Sequence, residues 1–413
     1  MIGSELPKGW KEVKLSDLAE IQSGGTPSRS NSAYWNGDIP WVKISDIKGK
    51  YVTETEEFIT EEGLMNSSAK VFERGTILFS IFATIGKVAI LDIDATTNQA
   101  LVGLKINEFV DKSFLVYALI ELSGRISNLG KGVAQKNINI SILKDVRIPL
   151  PPLAEQKQIA EKLDKLFDQI ETIKEASNKI PELLKNFRQQ VLTYAVTGKL
   201  TEEWRKERQL DEWHTELAKD CCEKVQSGGT PKGGQFSLSG IPFLKVYNIV
   251  GNKIDFESEP QYVSEEIQNS QIKKSITYPG DVIMNIVGPP LNKVAIIPDT
   301  YKEWNINQAI TLFRPKEYLN NQYLYYFFCE GSSVNSVLDK TRGVVGQVNI
   351  SLSQCREFAI SIPPMEEQLE IVKRVQTLFD ILDDVERRYN ILCDKLDKLP
   401  QALLCKAFKG ELV

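Results

Sequence analysis

Three proline pairs, a Gly-Gly turn and a single histidine are the places in this 413-residue sequence where a catalytic motif would show itself. An adenine methyltransferase carries an Asn/Asp-Pro-Pro-Tyr/Phe loop. The pairs here read Leu150-Pro151-Pro152-Leu153, Gly288-Pro289-Pro290-Leu291 and Ile362-Pro363-Pro364-Met365. None sets an amide before its prolines and an aromatic after them. No G-x-x-x-x-G-K-S/T loop is present to hold a triphosphate, and no G-x-S-x-G elbow to present a serine. Gly24-Gly25-Thr26-Pro27 lacks the lysine and the helix start of a phosphate loop, so it reads as a turn in the fold. With His214 as the one imidazole, a nucleophile-base pair has no base. No C-x-x-C pair accompanies it, which removes the usual zinc pattern. The six cysteines, Cys221, Cys222, Cys329, Cys355, Cys393 and Cys405, read as reduced structural thiols, because the adjacent pair cannot close an ordinary disulfide. The chain is therefore read as non-catalytic, with no cofactor or metal of its own.

The elements behind these residues repeat, and the repeat is the strongest signal in the chain. IQSGGTP at Ile21–Pro27 returns as VQSGGTP at Val225–Pro231, and IPWVKISDI at Ile39–Ile47 as IPFLKVYNI at Ile241–Ile249. GTILFSI (75–81) matches GDVIMNI (280–286), GKVAI (86–90) matches NKVAI (292–296), and NQA recurs at 98–100 and 307–309. INISIL (138–143) matches VNISLS (348–353), PPLAEQ (151–156) matches PPMEEQ (363–368), and AVTGKL (195–200) matches AFKGEL (407–412). The order never changes, and the offset drifts only from 202 to 212 residues. Short β-branched runs punctuated by Gly, Pro, Asn and Asp alternate with apolar helical patches, which gives two mixed α/β units. Each is closed by a proline pair and followed by apolar residues at alternating spacings of four and three, a coiled-coil seam. The first seam runs Ile159, Leu163, Leu166, Ile170, Ile173, Ser177, Ile180, Leu184, Phe187, Val191, Tyr194. The second runs Ile371, Val375, Leu378, Leu382, Val385, Tyr389, Leu392, Leu396, Leu399, Leu403. Pro181 and Pro400 interrupt the helical segments one heptad out of step, which leaves the seam in phase.

The fold class is thus α+β. Two mixed α/β units in tandem, 1–150 and 216–362, are separated and joined by two long helical regions, 151–215 and 363–413. The helices pack as an antiparallel coiled coil within a pseudo-two-fold internal repeat. Composition fits a chain with real cores: 42% apolar and 25% charged residues. No signal peptide or membrane span is read, so the location expected is cytoplasmic. Net charge is −5, and neither globular half is basic, which is unusual for a chain that meets nucleic acid.

The whole layout resembles the specificity subunit of Type I restriction-modification systems. The resemblance is sharpest at IPLPPLAEQKQIAEKLDKLFDQIE, FRQQVLTYAVTGKLTEEWR and LCKAFKGELV. It implies that the globular units are target recognition domains and that the helices set their separation and dock methyltransferase (modification) subunits. The implied partners are double-stranded DNA, two methyltransferase subunits and, through them, restriction/translocase subunits. S-adenosylmethionine then belongs to the methyltransferase partner. A helix of about 27 residues is roughly 40 Å long, close to the roughly 34–36 Å between half-sites one DNA turn apart.

On that reading, contacts to DNA come from donors on loops: Lys and Arg for phosphates, and Arg, Lys, Asn, Gln, Ser or Thr for base edges. In the first half these are Thr26, Ser28, Arg29, Lys43, Ser45, Thr84, Lys87, Lys131, Gln135, Lys136 and Asn137. In the second they are Thr230, Lys232, Gln235, Lys245, Asn248, Asn285, Asn292, Lys293, Arg342 and Gln347. Members that recur in both halves (Thr26 and Thr230, Lys43 and Lys245, Lys87 and Lys293) have a second reading, retention by the fold. Trp41, Tyr34 and Trp35 read as core or edge packing. Glu155, Gln156, Arg188, Gln189, Thr197, Lys199 and Trp204 are the candidates for the partner surface. Two other function classes stay open on sequence alone: a duplicated protein-protein scaffold, which explains the acidic charge more simply, and an enzyme of unrecognised type.

Overall fold

A computed structural model describes residues 6–82, 84–129, 138–341 and 349–412. The chain divides into two compact units. One is Met1–Asn178 with Asn390–Val413, and the other is Lys179–Tyr389. Each holds one globular part together with stretches of both helical regions.

In the first unit, Lys11–Lys14 pairs antiparallel with Arg147–Leu150, so the globular part begins and ends at one place. Between them lies a five-stranded sheet in the order Ala19–Ser23, Leu101–Ile106, Ile77–Ser80, Val88–Leu91, Tyr51–Val52. A three-stranded sheet, Glu57–Ile59, Trp35–Val42, Thr96–Thr97, stands beside it. The β-branched runs read from sequence form the central strands, and Ile77–Ser80 is buried along its whole length. A helix from Lys112 covers the larger sheet with Phe114, Leu115, Ala118, Leu119 and Leu122. Ile159, Ala160 and Leu163 of the spacer helix Leu153–Ser177 join the same core, as do Leu404, Ala407 and Phe408 from the end of the last helix.

The second unit repeats this plan. His214–Leu217 pairs with Ala359–Ile362, and the larger sheet runs Cys222–Ser227, Ile310–Pro315, Val282–Asn285, Val294–Ile296. That is the strand order of the first unit without its fifth strand. The smaller sheet has four strands here, because Ile276–Thr277 adds to the edge of Trp304–Ile306. Val191, Leu192, Ala195 and Val196 of the helix Ile180–Val196 fill the place in this core that the end of the last helix fills in the other.

Within each unit the two helical stretches run antiparallel. In the first, Lys162 Nζ donates to the Leu412 carbonyl at 2.5 Å while Lys174 pairs with Asp397 at 3.4 Å. In the second, Arg188 pairs with Asp383 and Glu386 while Arg374 reaches the Leu200 carbonyl at 2.9 Å. Only part of the expected seam is covered. Ile159, Leu163, Ile170, Ser177, Leu184 and Val191 are buried, as are Ile371, Val375, Leu382 and Leu396. Ile173, Phe187, Tyr194, Val385, Leu392 and Leu399 are exposed. The exposed members fall in one of each seam's two columns, whose first members, Ile159 and Ile371, are buried in the globular cores. Pro181 sits in the first turn of its helix, where its missing N–H costs nothing, whereas Pro400 lies inside the helix Met365–Ala407.

Candidate nucleic-acid interface

The recurring motifs turn out to be partners of one another. In SGGTP, the Gly24 N–H donates to the Leu101 carbonyl at 3.1 Å and the Gly25 N–H to the Thr97 carbonyl at 2.8 Å. A Cβ on Gly24 would lie 2.0 Å from Thr97 Oγ1 and 2.4 Å from the Asn98 carbonyl, so only glycine fits. The Thr26 hydroxyl then donates to Gln99 of the NQA motif. The second unit repeats each part: Gly228 to Ile310 at 2.9 Å, Gly229 to Ile306 at 3.1 Å, and Thr230 to Gln308 at 2.5 Å. SGGTP and NQA therefore form one lock that ties the two sheets together.

The other recurring donors are held the same way. The Lys43 N–H is capped by Asp46 at 2.7 Å and the Lys245 N–H by Asn248 at 2.9 Å, which explains the acidic or amide residue three positions on. Lys87 N–H meets Ser80 Oγ at 2.8 Å, and Lys293 N–H meets Asn285 Oδ1 at 2.7 Å. The Lys87 ammonium is spent on the Ile44 and Ile47 carbonyls at 3.3 and 3.1 Å. Asn248 and Asn285, read as DNA contacts from sequence, are corrected to framework. They are 1% and 0% exposed, and Asn285 also donates to the Pro290 carbonyl at 2.9 Å. Asn292 is half-buried with φ +66° and donates to the Phe328 carbonyl at 3.0 Å. Lys131, Gln135, Lys136, Asn137, Arg342 and Gln347 lie outside the described residues.

What remains for a ligand differs between units. In the first, Arg29 stacks 3.7 Å above the Trp35 ring, pairs with Glu57 at 2.5 Å, and shares that carboxylate with Lys43 at 2.7 Å. The guanidinium first, and Lys43 with it, hold the Glu57 carboxyl below the ordinary glutamate range. Lys43 is shifted upward by the same bond. Trp41, as read from sequence, is buried and donates to the Gly25 carbonyl at 3.0 Å. Ser28, Ser45 and Thr84 are exposed. In the second unit Lys245 lies 4.6 Å over Phe236 and 5.9 Å from Tyr247, while Lys232 and Gln235 are exposed on the preceding loop. Glu57, Phe236 and Tyr247 were not singled out from sequence. Tyr247 could have been: it occupies the place of Ser45 in the repeat, where an aromatic replaces a small polar residue.

The residues read as partner-binding are mostly used internally. Gln156 is corrected outright. It is 1% exposed, accepts the Asp111 N–H at 2.8 Å, and donates to the Phe109 and Pro151 carbonyls at 3.2 and 2.9 Å. Gln368 does the same with Asn320, Tyr318 and Pro363. Glu155 takes the Trp10 indole N–H at 3.0 Å, and Glu367 takes that of Trp213 at 2.8 Å. The PPxxEQ motif is therefore a clamp between spacer helix and globular part. Its missed sequence signal was the matching tryptophans, Trp10 and Trp213. Arg188 is paired with Asp383 and Glu386, Gln189 donates to the Glu330 carbonyl at 2.7 Å, and Thr197 donates to the Thr193 carbonyl at 2.7 Å. Lys199 lies 5.5 Å over Tyr194, and Trp204 is half-buried under Arg208 at 4.3 Å.

Among the described residues no group of three or more His, Cys, Asp or Glu could hold a metal ion, and no helix is long and apolar enough to cross a membrane. Two units with one framework and different loops mark a duplicated chain. The family model described as Type I restriction modification DNA specificity domain matches residues 7–182 and 211–391. The chain belongs to that family, and it is a non-catalytic DNA sequence-recognition subunit. It is 30% identical to the type I restriction enzyme EcoBI specificity subunit of Escherichia coli, over 98% of this chain and 86% of that one. It is 27% identical to the EcoKI specificity subunit of Escherichia coli strain K12, over 100% of this chain and 91% of that one. Its fold is similar to that of the HsdS subunit from Thermoanaerobacter tengcongensis, with a TM-score of 0.69 at 19% identity over 99% of each chain.

Proposed function

We propose that this chain reads a split, asymmetric DNA target, one globular part per half-site, and that its helical regions act as ruler and as docking site for two methyltransferase subunits. The observation that carries this reading is the pairing of identical locks with unlike loops. The Gly24 and Gly228 locks match bond for bond, yet the side chains beside them differ in charge and in aromatic content. Equal frames with unequal readers suit two different half-sites. Exposed apolar residues on the helical stretches of each unit by itself (Ile173, Leu392 and Leu399 in the first, Phe187, Tyr194 and Val385 in the second) support docking of a partner on each, because an unpaired apolar stripe is ordinarily covered. S-adenosylmethionine and base flipping belong to the methyltransferase subunits, restriction/translocase subunits join through them, and the complex works in the cytoplasm on this reading.

The test is methylome sequencing of a host with this chain and its methyltransferase partner, against a host lacking this chain alone. A split adenine-methylated motif that vanishes with the chain is the expected result. Unchanged methylation with an active partner would favour a protein-binding scaffold. Lengthening both helical regions by one heptad, roughly 10 Å, is expected to widen the gap between half-sites by about three base pairs and to leave the bases read unchanged. A change of bases would overturn the ruler.

A further inference from the structure

Leu238 is the one large apolar side chain among the described residues that is 100% exposed. It stands at the tip of the loop from Lys232 to Gly240, and the backbone around it is fixed. The Ser237 N–H donates to the Tyr262 carbonyl at 2.9 Å, and the Ser237 hydroxyl donates to the Ser239 carbonyl at 2.8 Å. Phe236, two residues before the tip, packs on Phe243 at 5.3 Å between ring centroids. Glycines take left-handed conformations on both sides: Gly233 at φ +71°, Gly234 at +64° and Gly240 at +131°. A Cβ on Gly240 would lie 2.6 Å from the Val263 carbonyl. Three such glycines cost conformational entropy on folding, and the leucine they present adds nothing to any core. Its neighbours include donors assigned to DNA on the reading proposed above. Lys232 and Gln235 are exposed on the same loop, and Lys245 reaches the Phe236 ring at 4.6 Å. The first unit has no counterpart. There the segment between SGGTP and IPWVKISDI runs from Ser28 to Asp38 with no large apolar side chain among the exposed ones, and Arg29 lies over Trp35 and pairs with Glu57.

We infer that Leu238 is a specificity-determining residue of the second half, reading an A·T pair through apolar contact with the thymine C5-methyl group. The methyl is the one apolar feature a base pair presents in the major groove. Lys232 and Lys245 supply phosphate contacts beside it, and Gln235 can bond an adenine edge. The inference rests on the split-target reading above.

The test uses the full complex with its methyltransferase partner and duplex oligonucleotides carrying the motif found for the unaltered chain. Each thymine of the second half-site is replaced in turn by uracil, which deletes only the methyl. The expected result is a loss of binding of about fourfold at one position, the worth of one buried methyl group. Leu238→Ala should show no such loss, and its methylome should accept more than one base at that position while the first half-site stays unchanged. The substitution removes no packed contact, so folding is not at risk. Uracil sensitivity that persists in Leu238→Ala, or a second half-site of G·C pairs alone, would overturn the inference. An altered bend of the DNA with no uracil sensitivity would make Leu238 a wedge and would also overturn it. If the unaltered chain directs no split motif, the proposed function fails instead.

Discussion

Tyr117 and Tyr326 stand at matching places in the repeat, and each packs edge-on against a phenylalanine of the spacer helix in its own unit. The ring centroids are 5.3 Å apart for Tyr117 and Phe167, and 5.9 Å for Tyr326 and Phe379. The geometry is shared but the charge is not. Tyr117 donates to Asp164, which Lys50 also engages at 2.5 Å, and burial with that carboxylate pushes the Tyr117 hydroxyl well above the usual tyrosine range. Tyr326 faces the neutral Gln376 at 3.3 Å. The same contrast runs through the recognition loops, where Arg29, Glu57 and Lys43 form an ionic cluster and Lys245 sits between rings. At these two places the first unit pairs its cations with carboxylates, and the second sets an amide or an aromatic face there. A chain of net charge −5 can thus hold local cations without a basic domain.

The largest effect is expected where the units agree. Gly24→Ala and Gly228→Ala force a Cβ against carbonyl oxygens at 2.4 and 2.0 Å, and each should cost about 3 kcal/mol in chemical denaturation. A neutral result in either unit would break the shared lock. Next comes Glu57→Gln, which frees Arg29 and Lys43. The salt dependence of DNA binding by the complex should steepen by about one to two units of log-log slope. No change would mean that neither cation reaches a phosphate. Acid should act on the same site in the same sense. With its folded value depressed, Glu57 contributes stability above the ordinary glutamate range and loses it as pH falls through the lowered value. The Trp35 and Trp41 fluorescence should report that transition, and Glu57→Gln should lack it. The smallest effect belongs to Asp164→Asn. It should cost less than about 1 kcal/mol at low salt and nothing at high salt, while Gln376→Ala shows no salt dependence. Equal salt behaviour in thermal unfolding would erase the ionic contrast between the junctions.

Much of this was legible in the sequence because a duplication prints its framework twice. The recurring SGGTP, NQA and PPxxEQ segments mark residues with fixed bonding partners, and the two larger sheets share their strand order. Their partners were not legible. Nothing in Gln156 says that its amide faces inward over three backbone groups, since a polar residue near a helix start usually faces solvent. Asn248 and Asn285 misled for the same reason: loop amides close turns as readily as they read bases. The half-exposed seam also escaped, because a four-three spacing fixes which residues share a stripe and not how many columns a partner covers.

The strand pairs that close each globular part carry a further consequence. Lys11 faces Leu150 across one pair, and His214 faces Ile362 across the other. Each reading head leaves the chain and returns to it at a single point, like a bead threaded on a knot. A head of different length or loop content can then stand at the same place without shifting the phase of the helix that follows. Length and loop content inside a head are thereby uncoupled from the helix that follows it.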